Sequence, residues 1–195
     1  MSFLDYHLFV NLLRFCDRSC LFPLLLTSKE IKDLTWRHLI DFLGINLKEI
    51  FNESCIDRNL ETIKFLLQDT RFDPSVDNND CITFASHIGN EEAVRLLLND
   101  PRVDPSIRNN EPIRLACRLG CSWMYEIYTI DESIKKCYLE IIKLLLKDPR
   151  VDPSDKNNEC IYISSKFEIM EIMKLFLQDH RIDEETKEFY RTSII

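Results

Sequence analysis

The sequence predicts an all-α protein built from stacked helix pairs, and three observations predict it. One unit of sequence recurs, its apolar residues fall at helical spacing, and the residues between copies are turn formers. The unit reads RFDPSVDNNDCITFAS from Arg71, RVDPSIRNNEPIRLAC from Arg102 and RVDPSDKNNECIYISS from Arg150, aligned without a gap. A matching helix end precedes each copy: FLLQDT, LLLNDP and LLLKDP, with a fourth, LFLQDH, before Arg181. Taking Asp73, Asp104, Asp152 and Asp183 as markers, the spacings are 31, 48 and 31 residues, so the middle unit carries 17 extra. Repetition at this period marks supersecondary units that bury their apolar faces by stacking on one another.

Residues 1–45 fall outside the repeat and read as a separate helical module. Leu4, Leu8, Phe9, Leu12, Leu13 and Phe15 recur at amphipathic helix spacing. A turn at Asp17-Arg18-Ser19 leads to Leu21, Phe22, Leu24, Leu25 and Leu26. Thr27-Ser28 is a candidate N-cap for a third helix carrying Ile31, Leu34 and Leu39. So short a piece cannot bury this much Leu and Phe alone, and must pack on something.

Residues 46–195 divide into units of about 47–71, 72–102, 103–150 and 151–181, with a C-terminal cap at 182–195. In the unit from Phe72, Ile82, Phe84, Ala85 and Ile88 outline a first helix from about Asp80. Gly89-Asn90 stops it, because Gly and Asn tolerate the left-handed conformation that ends helices. Glu91 to Asn99 forms the second helix, with Val94, Leu97 and Leu98 apolar. Asp100-Pro101 and Asp104-Pro105 then enforce an extended, turn-rich link, since residues before proline avoid the helical region. Pro112 opens the next first helix, where its missing N–H costs nothing. The position of Ala85 is small in every copy (Ser54, Ala116, Ser164), which lets neighbouring helices approach closely. Four helix pairs follow, at about 47–69, 80–99, 111–147 and 159–178. After Ile182, Glu184-Glu185 replaces Pro-Ser, and a short polar closing helix is expected.

The 17-residue excess maps to 121–137, between the two helices of its unit, and holds Trp123, Met124, Tyr125, Ile127 and Tyr128. Two readings stand. It is a loop whose aromatics bind a partner, or it lengthens the first helix and sets its aromatics against the neighbouring repeat.

Composition narrows the chemistry. A net charge of −8 and the lack of a Lys/Arg stripe argue against nucleic-acid binding. No apolar run nears the ~18 residues of a membrane span. Asp5 before any basic residue, without a small-residue cleavage site, argues against a secretory leader, so a reduced, cytoplasmic protein is expected. Its eight cysteines then read as free thiols packed as small apolar groups. Cys16/Cys20 and Cys117/Cys121 have helical i,i+4 spacing that would suit a metal, but none of the four histidines has matching spacing. No phosphate loop, nucleophile elbow or HExxH motif occurs, so neither enzymatic activity nor a cofactor is expected.

The repeated helix–turn–helix, its LLL-type second helix and its Asp-bearing turn resemble the ankyrin repeat over residues 47–195. The unit is 31 residues rather than about 33. Asp80-Cys81-Ile82-Thr83, Glu111-Pro112-Ile113-Arg114 and Glu159-Cys160-Ile161-Tyr162 stand where the family has Thr-Pro-Leu-His, so only Pro112 and the aliphatic position survive. The phrasing LLLKDPRVDPSxxNNE resembles ankyrin proteins of giant DNA viruses of amoebae, which would imply host cytoplasm. Residues 1–45 resemble the F-box, the three-helix module that docks on the Skp adaptor of cullin-based ubiquitin ligases. Leu4, Leu8-Phe9, Leu12-Leu13, Phe15, Asp17, Leu21-Phe22, Leu24 and Leu26 fall on its apolar and turn positions, and Ser28-Lys29 on its small-residue-plus-Lys signature. Asp5 stands where the family has proline, and Ile31 where it usually has an aromatic. This resemblance implies that Leu4, Leu8, Phe9, Leu12, Leu13, Leu21 and Phe22 face a Skp-like adaptor. A helical cap on the first repeat is the alternative reading of the same leucines.

The ankyrin resemblance also implies a concave face, lined by turn tips and first helices, that captures a target protein. Positions that vary while the frame repeats are its natural contact set, with neutral solvated surface as the alternative for each. They are Val76, Asp77, Ile107, Arg108, Asp155 and Lys156 at the tips, and Thr83, Arg114, Tyr162, His87, Arg118 and Lys166 on the first helices. Trp123 and Tyr125 of the insertion join them. The expected function is therefore a protein–protein adaptor that links a target to a ligase, or a binding protein without ligase attachment.

Overall fold

A computed structural model of the chain describes residues 46–125 and 132–192. Among these, every regular element is helical. In chain order the helices are α1 (Leu47–Ile56), α2 (Leu60–Gln68), α3 (Val76–His87), α4 (Glu91–Leu98), α5 (Ile107–Tyr125), α6 (Glu132–Lys147), α7 (Asp155–Lys166), α8 (Met170–Gln178) and α9 (Glu184–Thr192). They fall on the four pairs expected from the repeat plus the closing helix. The residues expected to face an adaptor, Leu4, Leu8, Phe9, Leu12, Leu13, Leu21 and Phe22, lie outside the described residues. None of the described helices is long and apolar enough to cross a membrane.

Phe51–Ile195 is one compact unit. Within it, first helices pack on first helices, α3 on α5 and α5 on α7. Second helices do the same, α2 on α4, α4 on α6 and α6 on α8. The apolar pattern dictates this layering. Second helices bury adjacent residues and one a turn later: Ala93, Val94 and Leu97 in α4, Ile141, Ile142 and Leu145 in α6, Ile172, Met173 and Phe176 in α8. First helices bury an isoleucine and, three residues on, a small residue: Ile82 and Ala85, Ile113 and Ala116, Ile161 and Ser164. With neighbours on both sides, truncating Leu97 or Leu145 to alanine would leave a cavity costing about 2–5 kcal/mol. Between pairs, Phe72, Val103, Val151 and Ile182 anchor the linkers into this core, and Phe72 stacks on Phe51 at a centroid distance of 5.4 Å.

Inside a pair, the chain reverses in three residues. Arg58, Gly89 and Glu168 occupy one left-handed position at the end of the first helix, with φ of 54°, 72° and 56°. Asn59 and Asn90 follow and cap the second helix, their side chains accepting from the N–H groups of Thr62 and Ala93. Asn90 also reaches back one pair, its Nδ2 donating to the Cys55 carbonyl at 2.7 Å.

The third pair departs from this. Its first helix runs on through Gly120 to Tyr125, and its second begins early at Glu132. Where described, the extra residues therefore lengthen both helices. A longer second helix needs no cap at the position of Asn90, and Tyr138 stands there instead. Its hydroxyl donates to the His87 carbonyl at 2.7 Å, so the backward bond made by Asn90 is kept in another form. The ring lies against two glycines: a Cβ on Gly89 would meet Tyr138 Cζ at 3.1 Å, and one on Gly120 would meet Tyr138 Cβ at 3.0 Å.

All six described cysteines are free thiols, and all but Cys137 are buried. Burial pushes the Cys55 thiol well above its ordinary pKa, with Cys81 beside it adding to the shift. Cys117 is raised by its hydrogen bonds to Cys121 and Cys160 and by burial, and its Sγ donates to the Cys160 carbonyl. Thiols kept protonated in this way pack as small apolar groups.

Candidate protein-binding surface

The linkers between the four pairs each end in Asp-Pro-Ser. Asp73 Oδ1 accepts from the Ser75 N–H at 2.9 Å and from its hydroxyl at 2.7 Å, and Asp104–Ser106 and Asp152–Ser154 repeat the arrangement. After one intervening residue, three in a row turn left-handed: Asp77-Asn78-Asn79, Arg108-Asn109-Asn110 and Lys156-Asn157-Asn158, with φ between 51° and 60°. Each turn is closed by a backbone bond, Asn79 N–H to Ser75 O, Asn110 to Ser106 and Asn158 to Ser154. A left-handed residue other than glycine costs roughly 1–2 kcal/mol, and asparagine tolerates the region best among side chains that could stand here. That is the physical reason for the repeated Asn-Asn. Proper right-handed helix starts only at Asp80, Glu111 and Glu159.

Two devices tie each linker to the next. The second asparagine reaches forward: Asn79 Oδ1 accepts from the Asp104 N–H and Asn110 Oδ1 from the Asp152 N–H, both at 2.8 Å. An arginine reaches backward. Arg102, Arg150 and Arg181 each grip the aspartate two residues earlier with Nε and Nη2. The same guanidinium then donates to carbonyls of the preceding linker or helix end. Arg102 reaches Phe72 and Leu67, Arg150 reaches Val103, and Arg181 reaches Val151, Asp148 and Leu146. Helix-end carbonyls such as those of Leu67 and Leu146 lack intrahelical partners, and a planar guanidinium fits them while holding a carboxylate. Sequence reasoning used Arg71, Arg102, Arg150 and Arg181 only to align the repeats. Their recurrence two residues after aspartate was the signal for this staple.

Against this frame, the expected contact residues separate by exposure. Val76, Asp77, His87, Arg108, Arg118, Lys156, Tyr162 and Lys166 are exposed; Ile107, Asp155 and Arg114 are half-buried. Thr83 does not fit the expectation. It is buried, and its hydroxyl donates to the Asn79 carbonyl across one helical turn, so it supports the left-handed turn and offers no surface. The side chains of Trp123 and Tyr125 lie outside the described residues, as does the segment 126–131.

Two of the contact positions, Arg114 and Arg118 of α5, share a carboxylate of the neighbouring pair. Glu159 accepts from Arg114 Nε through one oxygen and from Arg118 Nη2 through the other, both at 2.6 Å. Burial alone would raise the Glu159 pKa, but the bonds from Arg118 and Arg114 outweigh it and hold the carboxyl below its usual range. Arg114 also donates to the carbonyls of Arg108 and Asn109, bracing the turn tip. Arg108 pairs with Glu111 at 3.2 Å and reaches the Asp77 carbonyl of the preceding tip at 3.1 Å. Glu159 was absent from the expected set, because a glutamate at a helix start reads as an ordinary solvated charge.

Among the described residues no three His, Cys, Asp or Glu side chains gather where a metal ion could be shared. No family model matches the chain, and neither the curated proteins nor the solved structures compared with it give a match.

Proposed function

We propose that this chain is a protein-binding adaptor: an ankyrin-type repeat array that holds a target protein, with an F-box-like module at residues 1–45 that attaches it to a Skp-type adaptor of a ubiquitin ligase. The observation that carries the binding reading is the division of labour in the linkers. Asp-Pro-Ser, Asn-Asn and Asp-x-Arg spend their hydrogen bonds on one another and on neighbouring linkers. The residues set between them differ in each copy, with Val76, Asp77, Arg108 and Lys156 exposed and Ile107 and Asp155 half-buried. A frame that repeats while its outward residues change is what a capture surface needs, since rigid backbone lowers the entropy lost on binding. The adaptor half rests on the sequence pattern from Leu4 to Lys29 alone.

Affinity purification from cells tests both halves. The full chain is expected to retain ligase subunits and a target. Deletion of residues 1–45 should remove the ligase subunits and leave the target. A target retained without any ligase subunit in the full-length sample rejects the adaptor half and leaves a plain binding protein whose N-terminal helices cap the stack.

A further inference from the structure

We propose that the surface shared by α5, α7 and the turn tips before them binds an acidic polypeptide segment, with Arg118, Lys156 and Lys166 supplying the charge around the exposed ring of Tyr162. This rests on the partner-binding reading above and names the chemistry of the partner.

The chain carries 33 acidic against 25 basic residues. Its varying positions run the other way from pair to pair. The first left-handed residue of each tip is Asp77, then Arg108, then Lys156; the exposed residue near the end of each first helix is His87, then Arg118, then Lys166. Over the third and fourth pairs, Arg108, Arg114, Arg118, Lys156 and Lys166 outnumber the carboxylates set among them, Glu111, Asp155 and Glu159, with Asp80 of the preceding pair a further partner of Arg108 at 3.7 Å. Glu159 alone answers both Arg114 and Arg118, and the Arg118 side chain remains 52% exposed. Lys156 and Lys166 form no ion pair among the described residues. Uncompensated cations on one face of an acidic chain steer and hold negative partners.

Tyr162 supplies the second half of the argument. It is 54% exposed, three residues after Glu159 and four before Lys166, hence on the same helix face as both. An exposed tyrosine among cations is the composition of an interface anchor, with apolar body and hydroxyl both usable. The interspersed Glu111, Asp155 and Glu159 would repel a continuous phosphodiester backbone. A polypeptide can set carboxylates against the lysines and an apolar side chain on the ring.

Panning a random peptide library against the full chain tests this, followed by affinity measurement of the enriched peptides on the chain and on a Lys156→Glu/Lys166→Glu variant. Because neither lysine is paired, the variant should keep its melting temperature. Enriched peptides should carry an excess of Asp and Glu, bind the variant at least about tenfold more weakly, and lose affinity as salt rises. Enriched peptides without acidic excess, or with equal affinity for the variant, overturn the inference while leaving the partner-binding reading intact. Failure to enrich any peptide overturns it too, as does retention of an RNA oligonucleotide that depends on the same lysines; the purification experiment above then judges the broader reading by itself.

Discussion

At the scale of single residues, the backbone concentrates strain in a few repeated places, and the sequence meets it with differing success. The left-handed position that ends each first helix holds Gly89 in the second pair but Glu168 in the fourth. Glycine takes this conformation without steric cost, whereas a side chain there does not. Glu168 is exposed, so replacing it removes no packing. Glu168→Gly is expected to raise stability by up to about 1 kcal/mol. Gly89→Ala should lower it, because the new Cβ meets both the positive φ and the Tyr138 ring at 3.1 Å. Thermal melts of the two variants check this: a loss of stability in Glu168→Gly would mean that the glutamate makes a favourable contact that outweighs its strain.

At the scale of elements, linkers do the joining and helices the filling. The aspartates that hold the arginine staples predict the acid behaviour of the fold. Hydrogen bonds from Arg102 and Arg150 hold Asp100 and Asp148 below the ordinary carboxylate range; at Asp179, burial acts upward but Arg181 outweighs it. A carboxylate whose folded pKa is depressed adds stability that is complete above its unfolded value, about 4, and is lost as pH falls through the folded value. Denaturant midpoints should therefore be flat from neutral pH down to about 5 and fall below about 4. Asp179→Asn should be less stable than the parent at neutral pH and show a shallower acid slope. An unchanged slope would remove Asp179 from the account. The Asp-x-Arg spacing was visible in the sequence, but its use was not. Periodicity reports which residues recur, whereas the carbonyls that Arg181 reaches, at Leu146, Asp148 and Val151, belong to a helix end and the linker after it, 30 to 35 residues earlier.

At the scale of the whole molecule, stacked pairs share stability with their neighbours, and cooperativity depends on the joints. Asn110 and Arg150 are the side chains that tie the second linker to the third, through the Asp152 N–H and the Val103 carbonyl. The double variant Asn110→Ala/Arg150→Ala cuts both while leaving the helices intact. Its unfolding in denaturant should broaden, with a reduced m-value or two steps, because the halves on either side of the joint come apart separately. A single transition with unchanged m would mean that helix packing alone carries the coupling.

The sequence by itself determined the helical class, the number of helix pairs and most of the inward residues, because burial and turn chemistry are local and the same pattern is repeated. Of the positions that vary against the constant frame, Val76, Asp77, His87, Arg108, Arg118, Lys156, Tyr162 and Lys166 are exposed, while Thr83 is buried. Tertiary structure decided the rest. It buried Thr83 beneath a left-handed turn that no single-residue propensity foresees, set Tyr138 in the place of a capping asparagine because an extended helix no longer ends there, and brought Glu159 between two arginines of the neighbouring pair. Each of these depends on which groups meet across pairs, and distance through space is not written in spacing along the chain.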